Sequence, residues 1–231
     1  GIRDRSPSRG RGDVYKRQGE GSNYANNFAP ENSGTNVVAV GGTGGNNIPE
    51  MDIYNAYEEG DLRRDFSMSL GYYDNRKNNE WVESRYVCKF MDVPYQNNDA
   101  SNNYPVIRYA DVILMYAEAL NQNGKTAEAC KYLNMTRRRG FGYQTTETSP
   151  VDLQTTDKAQ FALMVEQERR VELAFENHRW FDLIRTGRAV EVMRSKGFSL
   201  NETNLICPIP QKQIDVNPKL TQNDYRIESR N

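Results

Sequence analysis

The chain has 231 residues, with 30 Lys and Arg against 31 Asp and Glu, three cysteines and a single histidine. No apolar run approaches the ~20 residues that a membrane-crossing helix needs. Cys88, Cys130 and Cys207 lie far apart with only His178 to join them, which argues against a Cys/His zinc site and leaves the thiols as small buried hydrophobes or inert surface groups.

The first stretch, "GIRDRSPSRGRGDVYKRQ", is dense in arginine and nearly devoid of apolar residues. Taken at face value it would be a basic arm. Its end, DVYKRQ, resembles the in-frame translation of a transposon end used in sequencing libraries, so residues 1–18 are read as a non-native scar and set aside. The remainder holds 24 Lys and Arg against 29 Asp and Glu, a net charge of −5. Such a surface has no basic field to draw phosphates, and nucleic acid is a poor candidate partner. The absence of a targeting segment ahead of this point carries no information about localisation.

Residues 19–104 read as loop-rich. "GGTGGNN" lies in a Gly, Asn and Ser-rich stretch without the apolar content to pack alone. "DIYNAYEEG" predicts a weak helix ended by Gly60, and "WVESRYVCKFMDV" a strand or two carrying Trp81, Tyr86 and Val87. Residues 105–200 read as helical. In "RYADVILMYAEALNQNG", Tyr109, Ile113, Tyr116, Ala117 and Leu120 recur at intervals of three and four, which predicts a helix with that stripe inward. Gly124 ends it, and Thr126 is expected to cap a second helix over about 127–139 with Ala127, Cys130 and Leu133 inward. So short a link makes the pair an antiparallel hairpin, with Ala117, Ala119, Ala127 and Ala129 allowing the close approach of tetratricopeptide-like helices. No second copy recurs at a 34-residue period.

Asp157 predicts the start of a longer helix, with Gln160 placed to reach back. Phe161, Met164, Val165, Val171 and Phe175 share one sector of it, and Glu168 and Glu172 fall in the middle of that sector. Buried carboxylates need partners, and Arg108, Arg137, Arg179 and Arg185 are the candidates. Two carboxyls one helical turn apart also match the spacing that glycoside hydrolysis uses. The sequence carries no nucleophile elbow, phosphate-binding glycine loop or other cofactor motif, so no cofactor is expected.

Three separated segments, "YPVIRYADVILMYAEALNQNG", "ERRVELAFENHRWFDLIRTGR" and "CPIPQKQIDVNPKLTQNDY", together with "GDLRRDFSM", resemble in order the signatures of SusD/RagB-type outer-membrane nutrient-binding lipoproteins. The resemblance covers roughly residues 50–225. It implies a mainly α, SusD-like fold of tetratricopeptide-like hairpins with an irregular loop-rich segment and a few short strands. It also implies that residues 19–231 are the C-terminal part, ending in a strap over 201–231, with the lipidated cysteine and first hairpins missing. Such proteins are non-catalytic and work at the cell surface beside a SusC-like TonB-dependent barrel, to which they deliver oligosaccharides or related nutrients. Their contact with the membrane is through the lipid anchor alone. Arg108, Asp111, Tyr116, Glu118, Asn121, Asn134, Arg137, Glu168, Arg169, Glu172, Phe175, Arg179, Trp180, Asp182 and Arg185 match signature positions whose implied role is architectural.

The ligand face is expected outside the hairpin. "GYYDNRKNNEW" combines aromatics able to stack on a sugar with Asn and Asp able to bond its hydroxyls, so Tyr72, Tyr73 and Trp81 are the expected ligand-binding residues, in one loop. A glycoside hydrolase using the Glu pair and a helical-repeat interaction scaffold are the alternative readings.

Overall fold

The computed structural model describes residues 21–224, which hold nine α-helices and one two-stranded sheet; residues 1–18, read above as a scar, lie outside them. Two compact units divide at Glu176/Asn177.

In the first unit, α4 (Tyr109–Gln122) and α5 (Thr126–Gly140) form the hairpin, and α6 (Lys158–Glu172) packs on both. Leu114, Ala117, Leu120, Ala129, Cys130, Leu133, Phe161 and Val165 make one core among the three helices. Gly124 adopts φ +74° and Lys125 N–H returns to Leu120 C=O, the left-handed helix ending expected of it. Asp157 caps α6 by accepting from Gln160 N–H at 2.8 Å, while the Gln160 side chain turns instead to the Thr155 hydroxyl.

Three expectations about this hairpin are corrected. The buried stripe of α4 is Ala110, Asp111, Leu114, Ala117, Leu120 and Asn121, with Tyr109 76% and Tyr116 47% exposed. Polar contacts set that rotation: Asp111 pairs with Arg169 at 2.7 Å, and the Asn121 amide donates to Lys158 C=O at 3.0 Å. Thr126 is the first residue of α5 and no cap; its hydroxyl donates to Asn121 Oδ1 inside the turn. Ala127 and Ala119 face solvent, so Ala117 and Ala129, both fully buried, are the small residues that bring the helices close.

The segment after α5 is stitched to it by side chains. Asn134 exchanges two hydrogen bonds with the Leu153 backbone, Arg137 Nε donates to Val151 C=O and Arg138 pairs with Asp152. Beyond α6, Phe175 lies at φ +67°, outside the helix it was expected to continue. A left-handed aromatic residue is strained. That turn carries Glu176 inward, where Arg108 and Lys89 hold it.

Residues 21–104 contain more structure than their composition implies. α1 (Tyr24–Phe28) sets Ala25 and Ala29 on Val38, and the sequence-distant Met91 supplies the apolar contact the stretch lacks by itself. The Asn26 amide donates to Val40 and Gly42 C=O while its oxygen accepts from Asn98 N–H, so one buried side chain ties down the start of the glycine-rich loop, whose Gly44 and Gly45 N–H groups donate to Asn26 and Ala29 C=O. Tyr24, Phe28, Phe90 and Tyr104 form an aromatic cluster with ring centroids 5.4–6.1 Å apart. The weak helix is one turn, α2 (Met51–Tyr54); Tyr57 just after it packs on Val171 and Ala174 and donates to Val171 C=O. α3 (Arg63–Ser67) runs without a break into β1 (Met68–Asp74), which pairs antiparallel with β2 (Glu80–Val87).

The second unit holds α7 (Arg179–Arg185), α8 (Ala189–Ser195) and α9 (Gln211–Val216). Ahead of α9 the proline-bounded backbone is clamped by the Gln222 side chain, which both accepts from Ile209 N–H and donates to Ile209 C=O at 2.8 Å. Among the described residues no helix is long and apolar enough to cross a membrane.

Candidate functional site

The stretch expected as a ligand loop is a β-hairpin. Asn75–Lys77 form a 3-10 turn, Asp74 caps it through Arg76 N–H, and Asn78 and Asn79 take the positive φ values of 52° and 60° that reverse the chain. Alternation along the strands then separates the expected residues. Tyr72 points into the protein at 8% exposure, whereas Tyr73 and Trp81, directly opposite one another, are 59% and 46% exposed. Their rings meet edge to face, 5.0 Å between centroids at 66°.

Gly71 explains why this pair sits where it does. A Cβ there would lie 2.2 Å from Val82 C=O and 2.7 Å from Trp81 Cζ2, so the indole rests on bare backbone. One face of Trp81 is thereby supported and the ring also lines an open cleft of about 610 Å³, with Ile48, Met51, Leu70, Glu83, Ser84 and Arg85. Trp81, Glu83 and Arg85 alternate along β2 onto one face. Apolar Ile48, Met51 and Leu70 beside a carboxylate, a hydroxyl and a guanidinium make a surface that is part stacking platform and part hydrogen-bonding wall. Arg85 is paired with Glu50 at 3.5 Å. Sequence reasoning missed the polar half of this cleft, although the i, i+2, i+4 spacing of Trp81, Glu83 and Arg85 on a strand was a signal for it.

The two helical carboxylates lie elsewhere, in the interior. Arg63 donates to Glu168 at 2.5 Å, to Glu172 at 3.0 Å, and bidentately to Asp61 at 2.7 and 2.9 Å. Arg108 and Arg139 complete Glu172, Arg137 stands 3.7 Å from Glu168 and forks onto Glu58, and Lys89 and Arg108 share Glu176. Five carboxylates (Glu58, Asp61, Glu168, Glu172, Glu176) thus meet five cations (Arg63, Lys89, Arg108, Arg137, Arg139). Of the four expected partners, Arg108 and Arg137 are present at the pair, with Arg63 and Arg139 supplying the remaining charge; Arg179 and Arg185 belong to the second unit, where Arg185 pairs with Asp182. Passage of Arg63 depends on Gly140, where a Cβ would meet its Nε at 2.4 Å.

Burial opposes ionisation of Glu172, yet Arg139, Arg108 and Arg63 outweigh it and hold the group down at about 2. Glu168 is pushed the other way by burial, against the pull of Arg63. Both side chains are under 3% exposed. With each oxygen turned to a guanidinium and no open face, the pair has no room for a sugar or an attacking water between its members. Among the described residues no cluster of His, Cys, Asp and Glu could hold a metal ion.

A model of the SusD family matches residues 20–225. SusD-like protein P38 of Formosa agariphila is 36% identical over 142 residues, which are 61% of this chain and 28% of that protein. The surface glycan-binding protein A of Bacteroides thetaiotaomicron, solved in complex with laminarihexaose, superposes with a TM-score of 0.69 at 23% identity over 89% of this chain and 47% of that one. A laminarin-binding SusD-like protein gives a TM-score of 0.64 at 26% identity, over 89% and 44%. The chain therefore spans less than half the length of these proteins.

Proposed function

The chain belongs to the SusD family, and from that premise we propose that it is a non-catalytic, cell-surface part of a glycan-capture protein. The observation that carries the reading is the exposed Tyr73–Trp81 pair, whose Trp81 ring lines a cleft that is part apolar and part polar. A pyranose ring offers an apolar face for such a platform and hydroxyls for the wall beside it. Proteins of similar fold whose names record laminarin or laminarihexaose binding support an oligosaccharide ligand. Delivery to a SusC-like TonB-dependent barrel, with membrane attachment through a lipid anchor, is part of the same proposal. Tyr72 is not, because its side chain is turned inward. Burial of Glu168 and Glu172 supports a binding role over hydrolysis.

Calorimetric titration with a panel of oligosaccharides that includes laminarihexaose tests this. Trp81→Ala and Tyr73→Ala should each weaken binding about fivefold or more, the equivalent of ~1 kcal/mol for a lost stacking face, with the melting curve retained. Undiminished affinity in both folded variants would remove the hairpin from the site. The same incubations should release no new reducing ends, and turnover abolished by Glu168→Gln would overturn the non-catalytic reading.

A further inference from the structure

We infer that the hairpin cleft selects neutral glycan chains and rejects uronate or sulfated ones, with Glu83 as the residue that sets the choice. The inference rests on the glycan-capture reading above and concerns the same cleft. Its lining contains two charged groups, Glu83 and Arg85. Arg85 is already met by Glu50. The Glu83 side chain is exposed, forms no hydrogen bond or ion pair among the described residues, and shares the strand face of Trp81 two residues away. The hairpin's other close pair, Asp74 with Arg76, is self-neutralising and at the tip. A ligand stacked on Trp81 therefore meets one uncompensated negative charge beside it.

For a neutral sugar that charge is an asset. A carboxylate accepts from adjacent hydroxyls, and a charge-assisted hydrogen bond is roughly twice as strong as a neutral one. For a sugar bearing its own carboxylate or sulfate the same group repels, since like charges a few ångströms apart at a protein surface are screened only in part by solvent. Arg85 offsets this repulsion only in part, because the Glu50 carboxylate already lies 3.5 Å from it and Glu83, Arg85 and Glu50 together keep a net negative charge.

Matched probes isolate the charge: mannohexaose against hexamannuronate, and galactohexaose against hexagalacturonate, each pair sharing its ring stereochemistry except for oxidation at C6. The wild-type protein should prefer the neutral member of whichever pair it binds by about fivefold or more at low salt, and the preference should shrink as salt shortens the screening length from ~10 Å toward ~3 Å. Glu83→Gln, which keeps a hydrogen-bonding amide, should lower the neutral-to-anionic ratio severalfold. Glu50→Gln should do the same by freeing Arg85. A ratio unchanged in both variants, or a wild-type preference for the uronate, overturns the inference while leaving glycan capture intact. Binding to neither member of either pair, nor to laminarihexaose, overturns the glycan reading and this inference with it.

Discussion

Arg63→Met would keep most of the buried stem and remove the guanidinium. Four side-chain hydrogen bonds go with it, two to Asp61, one to Glu168 and one to Glu172. Glu172 retains Arg108 and Arg139. Asp61 and Glu168 do not fare as well: Glu168, 2% exposed, is left with Arg137 at 3.7 Å. Removing one partner from a buried ion pair costs about 3–5 kcal/mol because a desolvated charge stays behind, whereas an exposed pair is worth under ~1 kcal/mol. With a urea m value of ~2 kcal/mol/M, the unfolding midpoint should fall by about 2 M. Arg63→Lys, which keeps the charge without the fork, should fall between wild type and Met. The sign of the pH dependence follows from Glu168. Its pKa is raised in the folded protein and would rise further without Arg63, so the penalty on the variant is greatest at high pH, where the carboxylate is ionised, and recedes as falling pH protonates the carboxyl. A midpoint that moves by less than about 0.5 M, which at that m value is the cost of an exposed pair, would refute the buried cluster, as would a gap between wild type and variant that ignores pH.

Gly140→Ala should destabilise by about 1–3 kcal/mol through overpacking against the Arg63 side chain, and most of that cost should vanish in an Arg63→Ala background, where the clashing atoms are gone, a coupling that a double-mutant cycle by urea denaturation reads directly. Glu172 is depressed to about 2 from its ordinary 4.5, so its contribution is present above pH 4.5 and lost as pH falls toward 2; acid unfolding followed by circular dichroism should be shallower over that window in Glu172→Gln, from a lower starting stability.

Which parts were legible beforehand follows the range of the interactions involved. Asp157 opening α6 and Gly124 closing α4 are decided within a turn of chain, and a single sequence contains everything that decides them. The inward face of α4 is not of that kind. Both Tyr109/Tyr116 and Leu114/Ala117 lie at helical spacing, and the choice falls to Arg169, Lys158 and other groups from outside the helix. Arg63 shows the same limit more strongly. In "GDLRRDFSM" it is one of two adjacent arginines, and Glu168, Glu172 and the bare backbone of Gly140, all far along the chain, distinguish it from Arg64, which reaches Asp65 at the surface. For the hairpin, the two asparagines at its turn were readable as a reversal. Taking them for loop merged Tyr72 with Tyr73, although strand alternation sends their rings to opposite sides.

The hairpin is held at both feet by the same charges. Arg63 lies in the helix that becomes β1, and Lys89, two residues beyond β2, donates to the carbonyls of Glu172 and Ala174 and pairs with Glu176. A two-stranded ribbon alone would flex and lose that freedom on gripping a ligand. Clamped at each end to the close of α6, the strands have lost it already during folding, so a sugar meets an aromatic surface whose orientation is set in advance. The tip, residues 75–79, lies beyond both clamps. Asn75 and Arg76 tie it separately to Asn36 and Asn32, and Asn78 and Asn79 reverse the chain, so a change at the exposed Lys77 would alter what the ribbon touches without turning the ribbon itself.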